Sequence, residues 1–260
     1  MRRQLTAVVM VLFVMCPPVA VRGAFADDVF VMTSGAFKAA YLELAPTCER
    51  GMLEHLVTAT TTMGTGADAI PARLARGEAA DVVIVAADAL DDLVHSHLVV
   101  EGSRVDLARS SIAMAVRTGA RKPDISTLDA LKQTLLDATS VAYSASVSGD
   151  YLVQELFPRL GIAEQMRGKS RRIERERVGA VVARGEAEIG FQQVSELLAI
   201  PGIDLVGRLP SAVQRVTVFS AGVAAHSKHI AAAQTLIRCL SSTAAADVAA
   251  KTGLEPIRHP

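Results

Sequence analysis

The 260-residue chain lacks an excess of either charge, carrying 27 lysines and arginines against 27 aspartates and glutamates. That balance removes the usual electrostatic argument for nucleic acid or for a polybasic membrane patch. It also lacks, after Ala26, any run approaching the roughly 20 consecutive apolar residues that a membrane helix needs. Several chemical signatures are missing as well. No Gly-x-Gly-x-x-Gly or Walker-type loop supports nucleotide binding, and without Gly-x-Ser-x-Gly nucleophilic serine chemistry has no support either. The pairs His95-x-His97 and His226-x-x-His229 have no third ligand spaced near them, and His-Glu-x-x-His is absent. Neither a zinc site nor any other metal or cofactor is expected. Cysteine is scarce: Cys16, Cys48 and Cys239.

What is present begins with an address. Met1-Arg2-Arg3 leads into an apolar run from Leu5 to Met15 and then to Ala24-Phe25-Ala26, just before Asp27-Asp28. A positive end, a short apolar run and a small-x-small site describe a secretory signal peptide over 1–26, cut after Ala26. The mature chain, Asp27 to Pro260, is then expected in the periplasm. Cys16 leaves with the leader. Cys48 and Cys239 enter an oxidising compartment, where they either pair or sit as two buried small hydrophobes.

The mature chain reads as two copies of one design. Val29-Phe30-Val31-Met32-Thr33 runs into Ser34-Gly35-Ala36-Phe37 and a helix-period segment from Lys38 to Ala45; Val141-Ala142-Tyr143-Ser144 leads to Ser148-Gly149-Asp150-Tyr151 and a second such segment, Leu152 to Leu160. Each reads as strand, tight loop, helix. Further on, Ala-Arg-Gly-Glu-Ala occurs at 75–79 before the strand Asp81 to Val85, and again at 183–187 before Ile189-Gly190-Phe191. Each copy predicts a helix ended by glycine and followed by a buried strand.

Serine hydroxyls and free amides at a helix start attract negative charge, because the first-turn donors are unsatisfied and the helix dipole is positive there. Two such starts predict two facing jaws on one small anion. Between them, the loop Thr61 to Gly66 follows a predicted strand at 53–60 and offers a second set of donors, or merely flexible residues. The charge run Arg171 to Arg177 reads as a solvated face. Strand and helix alternate throughout, which predicts an α/β fold with largely parallel sheets flanked by helices. The apolar runs at 110–117 and 216–223 are expected to cross between two lobes and serve as the hinge. Lobe 1 would hold 27–109 plus 220–260, and lobe 2 would hold 110–219.

With these residues in view, the mature chain resembles the periplasmic molybdate-binding proteins of ABC importers. Gly77-Glu78-x-Ala80-Asp81-Val82-Val83-Ile84, Ala142-Tyr143-Ser144 and Ile189-Gly190-Phe191-Gln192-Gln193 carry the likeness with the two serine motifs. The resemblance implies a two-lobed type II periplasmic binding fold and a monomer that holds an oxyanion by hydroxyls and backbone amides and delivers it to a permease. It assigns contacts to Ser34, Gly35 and Ala36; to Met63, Gly64 and Thr65; to Ser148, Gly149 and Tyr151; and to Val178 with Gly179. The family's remaining tyrosine ligand falls here on Gln192 or Gln193.

The runs Glu155-Leu156-Phe157-Pro158-Arg159-Leu160-Gly161-Ile162 and Gly190 to Leu198 are similar to a divergent branch that includes a bacterial periplasmic aconitate isomerase. That branch implies a tricarboxylate ligand and cofactor-free proton transfer between two carbons. A trianion calls for guanidinium groups, since arginine pairs bidentately with carboxylate. Arg73 and Arg177 stand near helix starts and are the candidates. For a base, Lys38, Tyr143, Asp150 and Tyr151 lie beside the expected cleft, each with a structural role as its alternative.

Overall fold

Val82 to Ala86 is apolar and buried at every position, as a central strand covered on both faces requires. It is the third strand of the chain in a computed structural model that describes residues 27–59, Thr61 and 66–259. The expected signal peptide and the loop residues Met63, Gly64 and Thr65 lie outside the described residues.

The first half runs β1 (Asp28–Thr33), α1 (Gly35–Glu49), β2 (His55–Ala59), α2 (Ile70–Ala75), β3 (Val82–Ala86) and α3 (Ala87–His95). A long strand, β4 (Val105–Arg117), then leads to α4 (Leu128–Asp137) and β5 (Val141–Ser144). Next come α5 (Val147–Tyr151), a π-helical turn over Leu152–Leu156, α6 (Phe157–Arg159), α7 (Ala163–Arg167) and β6 (Ser170–Ile173). The second half ends with α8 (Val178–Ala183), β7 (Ile189–Gln193), α9 (Val194–Leu198) and β8 (Ile203–Arg208). β9 (Val216–Val223), α10 (Ile230–Leu240), α11 (Thr243–Lys251) and β10 (Glu255–Pro256) return the chain to the first half.

The repeat is visible in the pairing. β1 lies between β2 and β3, parallel to both, and β5 lies between β6 and β7, parallel to both. Antiparallel strands join the units in the order β2-β1-β3-β9-β4-β7-β5-β6, so the sheet is mixed rather than parallel throughout. β4 serves both units: 105–111 pair with β9, and 112–117 pair with β7 and β8. The result is the two-lobed α/β architecture of periplasmic binding proteins, with β4 and β9 at the join. The matching Ala-Arg-Gly-Glu-Ala motifs end α2 and α8, with Gly77 and Gly185 both at φ 74°, a left-handed conformation that glycine adopts freely.

Each half has its own core. Val29, Val31, Phe37, Tyr41, Ile84 and Phe219 pack on one face of the first unit, and Met32, Ile70, Val83 and Leu90 on the other. Ile112, Met114, Val141, Leu152, Phe157 and Phe191 form the main core of the second. Cys48 and Cys239 are joined by a disulfide that staples α1 to α10, with Cα atoms 5.8 Å apart.

Two local expectations change. The charge run at 171–177 is not simply a solvated face. Arg171 and Arg172 belong to strand β6, whose backbone pairs with β5 while both side chains stay exposed, and pairing needs only the backbone. The second helix start also moves. Its N-cap is Ser146, two residues before the Ser-Gly match, because the helix starts soon after β5 ends and takes Ser148 and Gly149 into its first turn.

Candidate functional site

Ligands of open α/β sheets gather beyond the carboxyl ends of the strands, and there the two halves enclose a cavity of about 270 Å³. The first half contributes Ser34, Gly35, Ala36, Lys38, Thr61 and Ala86. The second contributes the turn 144–148, the stretch 173–177, and Gln192, Gln193 and Glu196 of β7 and α9. Thr217 and Phe219 of β9 form part of the wall.

Ser34 sits at the N-cap of α1 with extended backbone, yet its hydroxyl caps no amide of the helix. Ser34 Oγ is buried and has no hydrogen-bond partner among the described residues. A buried hydroxyl left unpaired costs about 1–3 kcal/mol, so an acceptor arriving in the cavity would offset a standing penalty. Gly35 and Ala36 add first-turn amides beside it.

Across the cavity three serines satisfy one another. Ser144 Oγ lies 2.7 Å from Ser146 Oγ and 3.0 Å from Ser148 Oγ, and Ser146 and Ser148 are 3.3 Å apart. Ser146 is the positional counterpart of Ser34. Gly149 and Tyr151 act differently from the expected contacts. A Cβ on Gly149 would overlap the carbonyl oxygen of Ser144, so this glycine allows close packing of helix on turn. The Tyr151 hydroxyl donates to Val213 O at 2.6 Å, its ring faces Arg215, and the residue belongs to the second core rather than to the cavity wall.

Gln193 ends β7 and lines the cavity. In the orientation that satisfies both ends of its amide, it accepts from Thr217 Oγ1 at 3.1 Å and donates to Ser110 O at 3.2 Å, tying β7 to β9 and β4. Val178 is fully buried, and its amide donates to Gln192 Oε1 at 3.0 Å, so the group the resemblance assigns to an anion already has an internal partner.

The most telling side chain is one the sequence reading did not single out. Glu196 lies in the first turn of α9, only 8% exposed, inside the cavity wall. Its Oε1 accepts from Gln192 Nε2 at 2.9 Å and rests where a Cβ on Gly35 would be, so the carboxyl from the second half touches the start of α1. Burial pushes its pKa up to about 7, against the opposing pull of Arg177 and of the Gln192 and Gln193 donors. The sequence signal was Gln193-Val194-Ser195-Glu196, the spacing of a capping box at a strand-to-helix junction.

Three cations face this carboxyl's cavity. Lys38, Arg175 and Arg177 line it, and none forms an ion pair with another described residue. The acidic neighbours are otherwise engaged: Glu174 pairs with Arg172 at 3.2 Å and Glu176 with Arg184 at 2.9 Å. The remaining candidates lie elsewhere. Arg73 pairs with Glu78, Asp150 stands 3.8 Å from Arg172, and Tyr143 is half-buried outside the cavity lining.

A serine-lined, cation-bearing cavity between two α/β halves has relatives. The profile of the bacterial extracellular solute-binding proteins matches residues 29–255. The chain belongs to this family. It is 50% identical over 228 residues to an aconitate isomerase of a Pseudomonas species, covering 87% of each chain. Among solved structures, the periplasmic molybdate-binding protein of Azotobacter vinelandii superposes with a TM-score of 0.70 at 16% identity, over 87% of this chain and 98% of that one. A sulfate-binding protein of Mycobacterium tuberculosis superposes at 0.69, also at 16% identity, over 89% of this chain and 87% of that one. At such identities the likeness concerns the fold. Among the described residues no helix is long and apolar enough to cross a membrane.

Proposed function

We propose that this member of the family is a periplasmic aconitate isomerase, holding a small tricarboxylate between its lobes and moving one proton. The observation that carries the proposal is Glu196: a carboxyl buried in a cationic cavity with a pKa of about 7. In a receptor the carboxyl would serve only as a donor in its protonated form, and its ionised form would repel an anionic guest. A general base uses both forms, since a base poised near the working pH combines the correct protonation state with proton affinity.

The chemistry follows from these groups. As carboxylate, Glu196 takes a proton from the substrate's methylene carbon, and the C–H electron pair joins the neighbouring double bond as an allylic anion. The flanking substrate carboxylates share the negative charge, which Arg177, Lys38 and the first-turn donors of α1 stabilise. Return of the proton to the far end of the allyl unit completes the new double bond and restores the Glu196 carboxylate. Nothing is oxidised or reduced. Lys38, Arg175 and Arg177 supply one cation for each of three carboxylates, and Ser34 supplies a hydroxyl donor. The lobes, 27–109 plus 220–260 and 110–219, would close about β4 and β9, excluding water during the transfer.

The second reading is a tricarboxylate or oxyanion receptor for an ABC importer. The unpartnered Ser34 hydroxyl and free α1 amides favour it, and it shares the exported monomer with its leader removed after Ala26. The two separate in one assay, absorbance-monitored interconversion of cis- and trans-aconitate by purified protein without added cofactor. Turnover supports the isomerase; tight binding without turnover leaves the receptor.

A further inference from the structure

The buried amide of Gln192 cannot be turned around. Its Oε1 accepts from Val178 N–H at 3.0 Å, and its Nε2 donates to Glu196 Oε1 at 2.9 Å. A half-turn would set NH2 against the Val178 N–H in either state of Glu196, and carbonyl oxygen against carboxylate when Glu196 is ionised, so the Val178 amide fixes the orientation. The first amide of α8 therefore acts as a clamp, and Gln192, 3% exposed, becomes a donor of fixed direction.

Other groups around Glu196 are less constant. Arg177, at the start of α8, lowers its proton affinity, but its guanidinium is unpaired and partly exposed, so a bound carboxylate would draw it away. From α1, Gly35 meets the carboxyl with bare backbone, and Lys38 lines the same cavity. Of the groups before α8, Arg175 is unpaired, while Glu174 and Glu176 engage Arg172 and Arg184. Gln192 is the neutral, buried side-chain donor among them.

Resting on the isomerase reading, we propose that Gln192 is a positioning residue: clamped by the Val178 amide, it keeps the Glu196 carboxyl aimed and hydrogen-bonded while substrate occupies the cations. A donor to the charged form favours that form, so its removal drives the carboxyl further toward the protonated state.

The test uses Gln192→Leu, with Gln192→Met as a more adaptable second variant, in the full mature protein. Two pH profiles are read: kcat/KM for aconitate, and urea-unfolding stability without substrate. The expected result is an upward move of the acidic limb of kcat/KM by about one pH unit, which is about tenfold lost below the limb. Activity recovers on the alkaline plateau, and the stability profile shifts upward by the same amount. Folded variants with equal loss at every pH, or with both midpoints unmoved, would overturn the proposal. Should the wild type fail to turn over aconitate, the isomerase reading falls, and the stability profile alone decides: an upward shift keeps Gln192 as the donor to Glu196, and an unmoved one removes it.

Discussion

Glu196 Oε1 occupies the space that a Cβ on Gly35 would fill, bringing a carboxyl carried by α9 against the first residue of α1. This contact joins the two halves at the floor of the cavity. It also explains why the residue after Ser34 has no side chain.

Gly35→Ala should therefore displace the base. Alanine in a helix favours stability by at most about 1 kcal/mol relative to glycine, and the overlapping atom is the free end of the Glu196 side chain, which can swing aside. Urea unfolding should therefore change little. Activity should fall by about 100-fold in kcat/KM, because a displacement of about 1 Å at a catalytic group costs that much. Unchanged kinetics in Gly35→Ala would mean that Glu196 is not held where the reaction occurs.

Glu196 also makes stability depend on pH in a stated direction. Its folded-state pKa of about 7 lies above the ordinary value of 4.5, so the folded protein holds the proton more tightly than the unfolded chain. The associated stability is complete below about pH 4.5 and is lost as pH rises through about 7, amounting to about 3 kcal/mol. Glu196→Gln should remove this slope and be more stable than the wild type at pH 8. Urea unfolding from pH 5 to 8 reads the difference; parallel curves for the two proteins would contradict the assignment.

The three unpaired cations should govern binding. Lys38→Met, Arg175→Met and Arg177→Met each remove one partner for a carboxylate, and a hydrogen bond to a charged group contributes about 1.5–3 kcal/mol. Tricarboxylate affinity by calorimetry should fall about 10- to 100-fold per substitution, with a smaller loss for dicarboxylates. Arg177→Met should in addition raise the pH at which Glu196 ionises, since it removes the charge that lowers that pKa.

The disulfide closes a loop with a sequence separation of 191 between α1 and α10. Chain-entropy reasoning gives such a closure about 5 kcal/mol of stabilisation. The Cys48→Ser/Cys239→Ser variant should unfold at markedly lower urea, with KM for aconitate little changed, because the bridge lies on α1 far from Ser34. A matching rise in KM would show that the α1 start depends on the staple.

Much of this architecture was readable residue by residue. The paired motifs centred on Gly77 and Gly185 announced two equivalent helix-to-strand junctions, and the apolar run 216–223 coincides with β9. Ser34 was legible because strand, N-cap and helix follow without interruption. Ser146 was not, because Ser148-Gly149 copies the letters of the first motif while the helix starts earlier and takes both residues into its first turn. Glu196 was hidden for a deeper reason. In sequence it is a first-turn glutamate, an ordinary cap on a short helix, and only the packing of α9 against α1 buries it and raises its pKa. Gln192 and Val178 likewise become partners only when β7 and α8 are folded side by side.

The most direct measurement follows trans-aconitate with purified mature wild type and Glu196→Gln, pairing the absorbance assay with calorimetry. The account predicts cofactor-free turnover by the wild type and at least a 100-fold loss in the variant, the scale of general-base catalysis, with tricarboxylate binding retained. Tight binding by both proteins with turnover by neither, or equal turnover by both, would contradict it.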